Sequence, residues 1–445
     1  MAADAPPGGS GGSSPRVGTV PAALSAACAE VRLATPADAV AGVAPRFVAA
    51  PADAAEASAL LRAAAGLGLA VLPRGTGSRL HWGYPPARCD LVLETTRLDR
   101  VVEHAAGDLV ATVQAGVRLN RLGDVLGAAG QRLALDPPGG GTVGGMLATA
   151  AAGPLRLRYG TPRDLLIGIT VVRPDGIVAR SGGKVVKNVA GYDIGKLFAG
   201  SRGTLGLIVT ATFRLHPLLA ETAYVTADCE AAADASAVIA TAMASSASPV
   251  AAEIDWPAAN GPLRACVALE GDPAGVAERA IALMALIESD AVTASVRAEP
   301  PPWWGAGPAA RRDGTVLQIA FWPGELGVVL AQTRAAAEAA GLIPAIGGSA
   351  AAGVVHAAVP GEARAGAVAS FVAVLRDELC AARPAPGDGA GPPARASVVV
   401  QHAPPEVAAL TDLFGPVPSL ALMRAVKSQF DPATTMAPGR FAGGI

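Results

Sequence analysis

The chain has 445 residues, which is enough for two or three domains, and 51% of them are apolar. Its 35 basic and 37 acidic residues give a net charge of −2, and that balance argues against a broad nucleic-acid-binding face. No apolar run reaches the roughly 18–20 residues that a membrane-spanning helix needs. Residues 1–16 lack the basic and apolar regions of a secretory signal, so we expect a cytoplasmic protein.

The first half of the chain alternates strands, helices and glycine loops. After a tail rich in Gly, Ser and Pro, residues 20–33 have helical potential. Strand 47–51, helix 52–68 and strand 69–73 then form a strand–helix–strand unit that ends in the loop PRGTGS. Further along, the pattern predicts a helix at 118–129 and strands at 91–96, 101–105, 109–116, 166–174, 177–181 and 207–215.

The composition changes after Pro217, where Ala-rich helices begin to alternate with apolar strands. This pattern indicates a second α+β domain. Its predicted helices lie near 230–245, 273–287, 324–340 and 361–380, and its predicted strands at 265–271, 315–323, 353–360 and 397–403. Residues 382–396 are too rich in Pro and Gly for regular structure, so we expect a surface loop there.

The cysteines and histidines are scattered, which predicts that this chain has no metal site. The five cysteines form no CxxC pair, so no iron–sulfur or structural zinc signature is present. The five histidines are isolated, and no two have a metal-ligand spacing. A single histidine on an apolar strand, such as His356, is more often a packed core residue than a catalytic base.

Three glycine-rich segments carry the strongest chemical signal: residues 73–78, 137–146 and 200–208. Glycine lets backbone N–H groups approach an anion closely, and consecutive N–H groups can form a concave nest for a phosphate. Three such segments beside strands predict a long ligand that contains a diphosphate. None has the spacing of a P-loop or of the dinucleotide-binding fingerprint that opens a helix after a first strand.

These segments resemble the FAD-binding proteins of the vanillyl-alcohol oxidase/p-cresol methylhydroxylase (PCMH-type) superfamily. The stretch from PADAAEASALL to PRGTGS is similar to the opening of its FAD-binding domain, and PPGGGTVGGM and AGSRGTLGLI are similar to its second and third segments. The tail KSQFDPATTMAPGR resembles the C-terminal signature of the superfamily, with Ala437 where Asn is usual.

The resemblance implies an α+β fold, with a two-part PCMH-type FAD-binding domain followed by an α+β cap or substrate domain. The implied division is a tail and short helix at 1–45, the FAD-binding domain at 46–217 and the cap domain at 218–404. Residues 405–445 would form a C-terminal segment that returns to the FAD-binding domain.

The resemblance also implies where FAD is held. The first loop would cradle the diphosphate, and the second and third segments would line the ribityl, flavin and adenine portions. The flavin would be non-covalent, because Ser78 stands where members with a tethered flavin carry His. The implied cofactor-binding residues are Pro73, Arg74, Gly75, Thr76, Gly77, Ser78, Pro138, Thr142, Gly144, Gly145, Gly191, Tyr192, Gly206 and Ile208. No catalytic residue is assigned.

The run KNVAGYDIGKLFAGSRGTLG is similar to the FAD-binding E subunits of bacterial glycolate oxidases. This implies a subunit of a 2-hydroxy acid dehydrogenase complex that oxidises glycolate to glyoxylate. Its partners would be a catalytic flavoprotein subunit and an iron–sulfur subunit, and it would reach the inner face of the membrane only through them.

Two alternatives remain open. One is a stand-alone FAD-dependent dehydrogenase of a small hydroxy acid or alcohol, with Arg156, Arg158 and Arg163 as candidate carboxylate ligands. The other is a non-catalytic assembly module. For Arg440, the sequence leaves open whether the side chain contacts substrate or flavin or caps the tail.

Overall fold

The structure is a computed structural model, and it describes residues 20–184, 192–308, 314–380 and 396–445. The described chain is built from three main sheets with helices packed against them, which confirms the α+β class. The described residues contain no helix with the length and apolar character needed to cross a bilayer.

The first sheet is a small mixed sheet with the strand order β1-β2-β4-β3. Its strands are β1 (Val31–Leu33), β2 (Phe47–Ala49), β3 (Val71–Arg74) and β4 (Leu91–Glu94). Helix α2 (Ala54–Gly66) connects β2 to β3, and the parallel pairing of both strands with β4 requires this crossover. The helix begins where the Asp53 carboxylate accepts hydrogen bonds from two backbone N–H groups, and it buries Leu60 and Leu61.

The N-terminal part of this sheet differs from the sequence prediction. The helix expected over 20–33 covers only α1 (Ala22–Ala27), and Val31–Leu33 pairs with β2 as an antiparallel edge strand. Local helical potential is outweighed here because an edge of the sheet offers backbone partners.

The second sheet is antiparallel, with the order β5-β6-β10-β8-β9. Strands β7 and β11, from the same part of the chain, form a separate two-stranded sheet. These strands are β5 (Val101–Ala105), β6 (Val110–Gln114), β7 (Gln131–Arg132), β8 (Leu166–Val172), β9 (Val178–Gly182), β10 (Leu207–Arg214) and β11 (His216–Pro217). The helices of this part are α3 (Leu119–Gly127), α4 (Val143–Thr149), α5 (Arg156–Tyr159), α6 (Pro162–Leu165) and α7 (Gly195–Phe198).

The third sheet is an eight-stranded antiparallel sheet with the order β15-β12-β14-β13-β17-β18-β16-β19. Its strands are β12 (Glu221–Cys229), β13 (Ala251–Trp256), β14 (Leu263–Gly271), β15 (Val292–Arg297), β16 (Thr315–Phe321), β17 (Ala345–Gly348), β18 (Val354–Val359) and β19 (Ala396–His402). The helices packed with it are α8 (Ala232–Ala244), α9 (Pro273–Ile287), α10 (Leu326–Ala339) and α11 (Ala365–Cys380).

One face of this large sheet packs against the four helices, and the opposite face carries both polar and apolar side chains. Ile254, Leu317 and Val355 belong to the core formed with the four helices. Their neighbours along the strands, Glu253 on β13 and His356 on β18, therefore point to the opposite face, because side chains alternate along a strand.

The C-terminal segment packs against the first sheet. After α12 (Pro405–Ala408) and α13 (Leu420–Phe430), residues 435–437 run beside β3. The Val71 N–H donates to the Thr435 carbonyl at 2.8 Å, and the Ala437 N–H donates to the Val71 carbonyl at 2.8 Å. Ala437 is fully buried with φ +43°, a left-handed conformation that Asn adopts more readily than Ala.

Candidate functional site

The glycine-rich segments meet around one cleft of about 830 Å³, measured out to its open mouth. The first segment enters from the end of β3, the second from the start of α4, and the third from the start of β10. The lining residues are Leu72, Pro73, Arg74, Gly75, Thr76, Gly77, Ser78, Arg79, Leu80, Trp82, Thr95, Ala115, Thr142, Gly144, Gly145, Ala148, Thr149, Arg202, Gly203, Gly206, Leu207, Ile208 and Arg440.

Close backbone packing explains why glycines stand in the cleft wall. A Cβ added to Gly75 would lie 2.3 Å from the Thr142 Oγ1, and one added to Gly144 would lie 2.8 Å from the Ala115 Cβ. The Thr142 hydroxyl is itself engaged, because it accepts the Gly145 N–H at the start of α4. Gly75 of the first segment is thus packed against Thr142 of the second, with no room for a side chain between them.

Arg74 lines the cleft, but its guanidinium is paired inside the protein. Its Nη2 donates to Asp38 at 2.7 Å and to Glu94 at 2.6 Å. The hydrogen bonds of Asp38 with Arg32 and, to a smaller extent, with Arg74 hold the pKa of Asp38 far below its usual value. Arg74 therefore braces the end of β3 against β4 and the 3₁₀ turn Pro36–Asp38.

Arg79 ties the first glycine segment to the second. Its Nη1 donates to the Gly140 carbonyl at 2.9 Å and its Nη2 to the Pro138 carbonyl at 2.5 Å. The side chain also lies over the Trp82 ring, 5.6 Å from its centroid. Arg79 is therefore a structural link inside the cleft wall.

Two further arginines reach the cleft from distant parts of the chain. Arg202 comes from the third glycine segment and Arg440 from the C-terminal tail. In each side chain the Nη1 is buried and has no hydrogen-bond partner within the described residues. The cleft thus contains unsatisfied positive charge, and no Asp or Glu side chain of the described residues lines it.

The structure gathers eleven of the predicted cofactor-binding residues at the cleft: Pro73, Arg74, Gly75, Thr76, Gly77, Ser78, Thr142, Gly144, Gly145, Gly206 and Ile208. Pro138 lies just outside the lining and contributes its carbonyl to Arg79. Tyr192 is 85% exposed and does not line the cleft. Gly191, with most of the KNVAGYD run, lies outside the described residues.

Sequence reasoning missed several lining residues, and Arg202 is the most consequential of them. It is the one charged residue of the third glycine-rich segment, and the glycine pattern around it gives no sign that its side chain faces the cleft. Trp82, Thr95 and Ala115 are also missed, because no local pattern marks a residue that a distant loop brings to the cleft.

A second group of ionisable side chains lies buried or half-buried where α5 packs on β13. Glu253 is 3% exposed and accepts a hydrogen bond from the Ser349 hydroxyl at 2.5 Å. Burial, together with the charge of Asp136, raises the pKa of Glu253 to about 8. Burial raises the pKa of Asp136 to about 6, even though Asp136 accepts the Leu155 N–H.

Arg156 and His356 belong to the same group, which we call the buried cluster: Asp136, Arg156, Glu253 and His356. Arg156 interacts electrostatically with both carboxyl groups. Burial and the Arg156 charge lower the pKa of His356 to about 4, so its imidazole is neutral at pH 7. Arg158 and Arg163, the other arginines of this region, are exposed. Of the three arginines predicted as carboxylate ligands, Arg156 alone belongs to the buried cluster.

The described residues contain no group of three His, Cys, Asp or Glu side chains that could hold a metal ion. The ring centroids of His81 and His402 lie 5.0 Å apart, which the sequence did not predict, but the described residues place no third His, Cys, Asp or Glu with them as a metal ligand.

The cleft fits the ligand that the glycine segments predict. Its wall contains glycine backbone that a diphosphate can approach closely. It also contains buried guanidinium groups with unused hydrogen-bond donors. These are the features required by the anionic centre of a dinucleotide cofactor such as FAD.

Comparison with known proteins supports this fit. Residues 45–182 match the family model described as FAD binding domain. The chain is 36% identical over 178 residues to glycolate oxidase subunit GlcD of Bacillus subtilis, covering 39% of this chain and 37% of that protein. It is 39% identical over 170 residues to D-lactate dehydrogenase of Archaeoglobus fulgidus, covering 38% of each. The chain thus matches about two fifths of the length of these relatives.

Solved structures share the fold at low sequence identity. Alkyldihydroxyacetonephosphate synthase superposes with a TM-score of 0.65 and 16% identity, covering 89% of this chain and 78% of that one. The BBE-like 1 protein of Physcomitrella patens superposes with a TM-score of 0.62 and 13% identity, covering 93% of this chain and 97% of that one. The likeness therefore extends through the third sheet, beyond the region that matches in sequence.

Proposed function

We propose that the chain is an FAD-dependent oxidoreductase of small 2-hydroxy acids, on the basis of the FAD-binding domain matched at 45–182 and of the similarity to the named relatives. More specifically, we propose that it serves as a flavin-binding subunit of a glycolate oxidase-type complex. The observation that carries the proposal is the convergence of three glycine segments and two unsatisfied arginines on one cleft.

FAD supplies the redox chemistry when it is bound, because its flavin ring can accept a hydride. The residues of this chain would position the cofactor and shield it from water. The first glycine segment would hold the diphosphate through backbone N–H groups, the second would line the ribityl and flavin portions, and the third would flank the adenine. For the domains, we propose the division predicted from the sequence, with the FAD-binding domain at 46–217, the cap at 218–404 and the segment 405–445 returning to the first sheet.

The proposed substrate class rests on the relatives and on the chemistry of the buried cluster. Named relatives act on glycolate or D-lactate, and these are small 2-hydroxy carboxylates. Arg156 is a cation close to Glu253, on the face of the third sheet that points away from the four helices, and a guanidinium matches a carboxylate in shape and charge. Neutral His356 is a second polar group on that face.

The proposed partners are a catalytic flavoprotein subunit and an iron–sulfur subunit, through which electrons would leave and through which the chain would associate with a membrane. Support comes from the similarity of the run KNVAGYDIGKLFAGSRGTLG to E subunits and from the relative named as a glycolate oxidase subunit.

A second candidate is a stand-alone dehydrogenase of a 2-hydroxy acid. The buried cluster favours it, because Arg156 and His356 give this chain a cation and a neutral imidazole of its own. The chain would then need no second flavoprotein for the oxidation step.

Anaerobic reduction of the flavin tests the proposed function. The purified chain, with bound FAD, is mixed with glycolate, D-lactate or D-2-hydroxyglutarate while absorbance near 450 nm is followed, with and without proteins encoded beside its gene. Bleaching only with the partner proteins supports the subunit, and bleaching of the chain alone supports the stand-alone enzyme. Absence of bleaching under both conditions contradicts a 2-hydroxy acid substrate.

A further inference from the structure

We propose that Arg202 and Arg440, and not Arg74, supply the positive charge that balances the FAD diphosphate. The inference rests on FAD as the ligand of the cleft, which is part of the proposed function. It assigns diphosphate binding to two residues that lie 238 positions apart in the sequence. It removes that role from Arg74 of the first glycine loop.

The positive charge of Arg74 is already neutralised by carboxylates of the protein. Asp38 and Glu94 both accept from its Nη2, at 2.7 and 2.6 Å, so two carboxylates face this single guanidinium. Arg79 uses both of its Nη atoms on the Gly140 and Pro138 carbonyls. The arginines that the first loop contributes are therefore committed to the protein before a ligand arrives.

Arg440 is fixed in place with one donor unused. It is 4% exposed, and its Nη2 donates to the Leu80 and Trp82 carbonyls at 2.9 Å each. Its Nη1 is buried without a partner among the described residues. A buried charged donor that lacks an acceptor is costly, so an acceptor is expected from a ligand.

Arg202 has the same unmet requirement and an additional source of strain. Its Nη1 is buried and unpartnered within the described part of the chain, and its guanidinium lies 5.2 Å from the Phe414 ring centroid. Its backbone is left-handed, with φ +54°, which is uncommon for a residue other than glycine. Burial and the charge of Arg440 together lower the pKa of Arg202 to about 10, so the two cations are close enough to repel each other.

The two side chains flank the first loop. A Cβ on Gly83 would lie 2.7 Å from the Arg202 Nη1 and 2.8 Å from the Arg440 carbonyl, so both residues lie beside the segment that follows the loop. Gly203, next to Arg202, packs on Pro73 at the start of the loop. The cations are thus placed around residues 73–83, next to the glycines that line the cleft.

Charge favours a diphosphate as the anion. Among the described residues no acidic side chain lines the cleft, and the two guanidinium groups with unused Nη1 donors match the two negative charges of a diphosphate. A single carboxylate would balance only one of the two positive charges. A bound diphosphate relieves both the repulsion between the arginines and the unmet donors.

The test compares FAD with riboflavin, which has the same ring but no phosphate. Dissociation constants are measured by flavin fluorescence for the wild-type chain and for Arg202→Gln, Arg440→Gln and Arg440→Lys. We expect each Gln variant to bind FAD roughly 10- to 100-fold more weakly, as loss of a charge-assisted hydrogen bond predicts. Riboflavin affinity should change by less than about threefold, on the same reasoning. Arg440→Lys keeps the charge and should retain more affinity for FAD than Arg440→Gln.

Arg121→Gln is the matched control, because Arg121 is an exposed arginine that pairs with Asp99 away from the cleft. Equal losses for FAD and riboflavin would overturn the assignment and make the arginines structural. Unchanged FAD affinity combined with weaker reduction by glycolate or D-lactate would overturn it too, and would assign the arginines to the substrate. If the wild-type chain bound no FAD, the proposed function itself would fail, an outcome distinct from both.

Discussion

Glu253 is a carboxyl group that the protein keeps largely protonated at pH 7, and Asp136 is a carboxyl group that ionises at a higher pH than an exposed Asp. Their raised pKa values, about 8 and about 6, follow mainly from burial. A carboxyl group whose pKa is raised on folding contributes stability that is complete below its unfolded pKa. That contribution is lost as pH rises through the folded pKa.

Glu253→Gln tests this residue-scale assignment. Gln imitates the protonated carboxyl group and can still accept the Ser349 hydrogen bond. We expect the wild-type chain to lose stability relative to the variant by up to about 1.4 kcal/mol per pH unit from about pH 5 to pH 8. Chemical denaturation at pH 5, 6.5 and 8 measures the difference. A difference independent of pH would contradict the raised pKa.

Gly144 tests the packing of the cleft wall. A Cβ at this position would meet the Ala115 Cβ at 2.8 Å and the Ala115 carbonyl at 3.1 Å, and backbone cannot move aside as a flexible side chain can. We expect Gly144→Ala to lose FAD during gel filtration and to cost about 1–3 kcal/mol of stability.

Gly123→Ala is the control for this substitution. Gly123 lies inside α3 with open space around its Cα, so alanine there should stabilise the helix by roughly 0.5–1 kcal/mol and leave FAD binding unchanged. Retention of FAD by Gly144→Ala would contradict the close packing of the second segment.

At the scale of elements, a buried ion pair fastens the C-terminal segment to the cleft. The Lys427 Nζ, at the end of α13, donates to Asp431 at 2.6 Å, to the Thr204 carbonyl at 2.7 Å and to the Met436 carbonyl at 3.0 Å. Asp431 in turn accepts the Met436 N–H. The Lys and Asp of the tail signature are therefore partners that join the tail to the third glycine segment.

Lys427→Met should release this attachment. The substitution leaves Asp431, which is 1% exposed, without its countercharge, so we expect a loss of about 3–5 kcal/mol and weaker FAD retention. Thermal unfolding and the flavin content of the purified variant measure the two effects. Lys196→Met, at an exposed pair with Asp193, is the control and should be near neutral. Equal behaviour of the two variants would contradict the anchoring role.

Sequence periodicity predicts a strand or helix well where the element has a pattern of its own. It predicts poorly where pairing with a distant strand determines the secondary structure. Helix α2 and strand β10 are predictable because Asp53 caps the helix and the run Leu207–Arg214 is rich in β-branched and apolar residues. The strand Val31–Leu33 was missed because its pairing with β2 is made by a non-local partner. The short helices α5 and α6 were missed because four residues are too few to show a helical period.

At the scale of the whole molecule, the parts of the fold meet through polar contacts as well as apolar packing. Arg132 on β7 pairs with Glu270 on β14 and donates to the Tyr159 hydroxyl at 2.8 Å. Its guanidinium also lies over the Tyr159 ring. These contacts join β7 and α5 to β14 of the third sheet, close to the buried cluster.

The cleft itself was predictable in outline from three glycine motifs, while its charge was not. The motifs located the backbone that lines it, because glycine content is a local property. Which arginine faces the ligand depends on where Asp38 and Glu94 lie relative to Arg74, and on the tail that delivers Arg440. Such pairings join distant parts of the chain and have no local signature.

The most direct test of the central claim is the absorption spectrum of the purified chain between about 350 and 500 nm, before and after acid precipitation. The account predicts flavin bands near 370 and 450 nm, with all of the colour released into the supernatant as FAD. A chain that is colourless and takes up no added FAD would contradict it. Flavin that stays with the precipitate would contradict the non-covalent attachment inferred from Ser78.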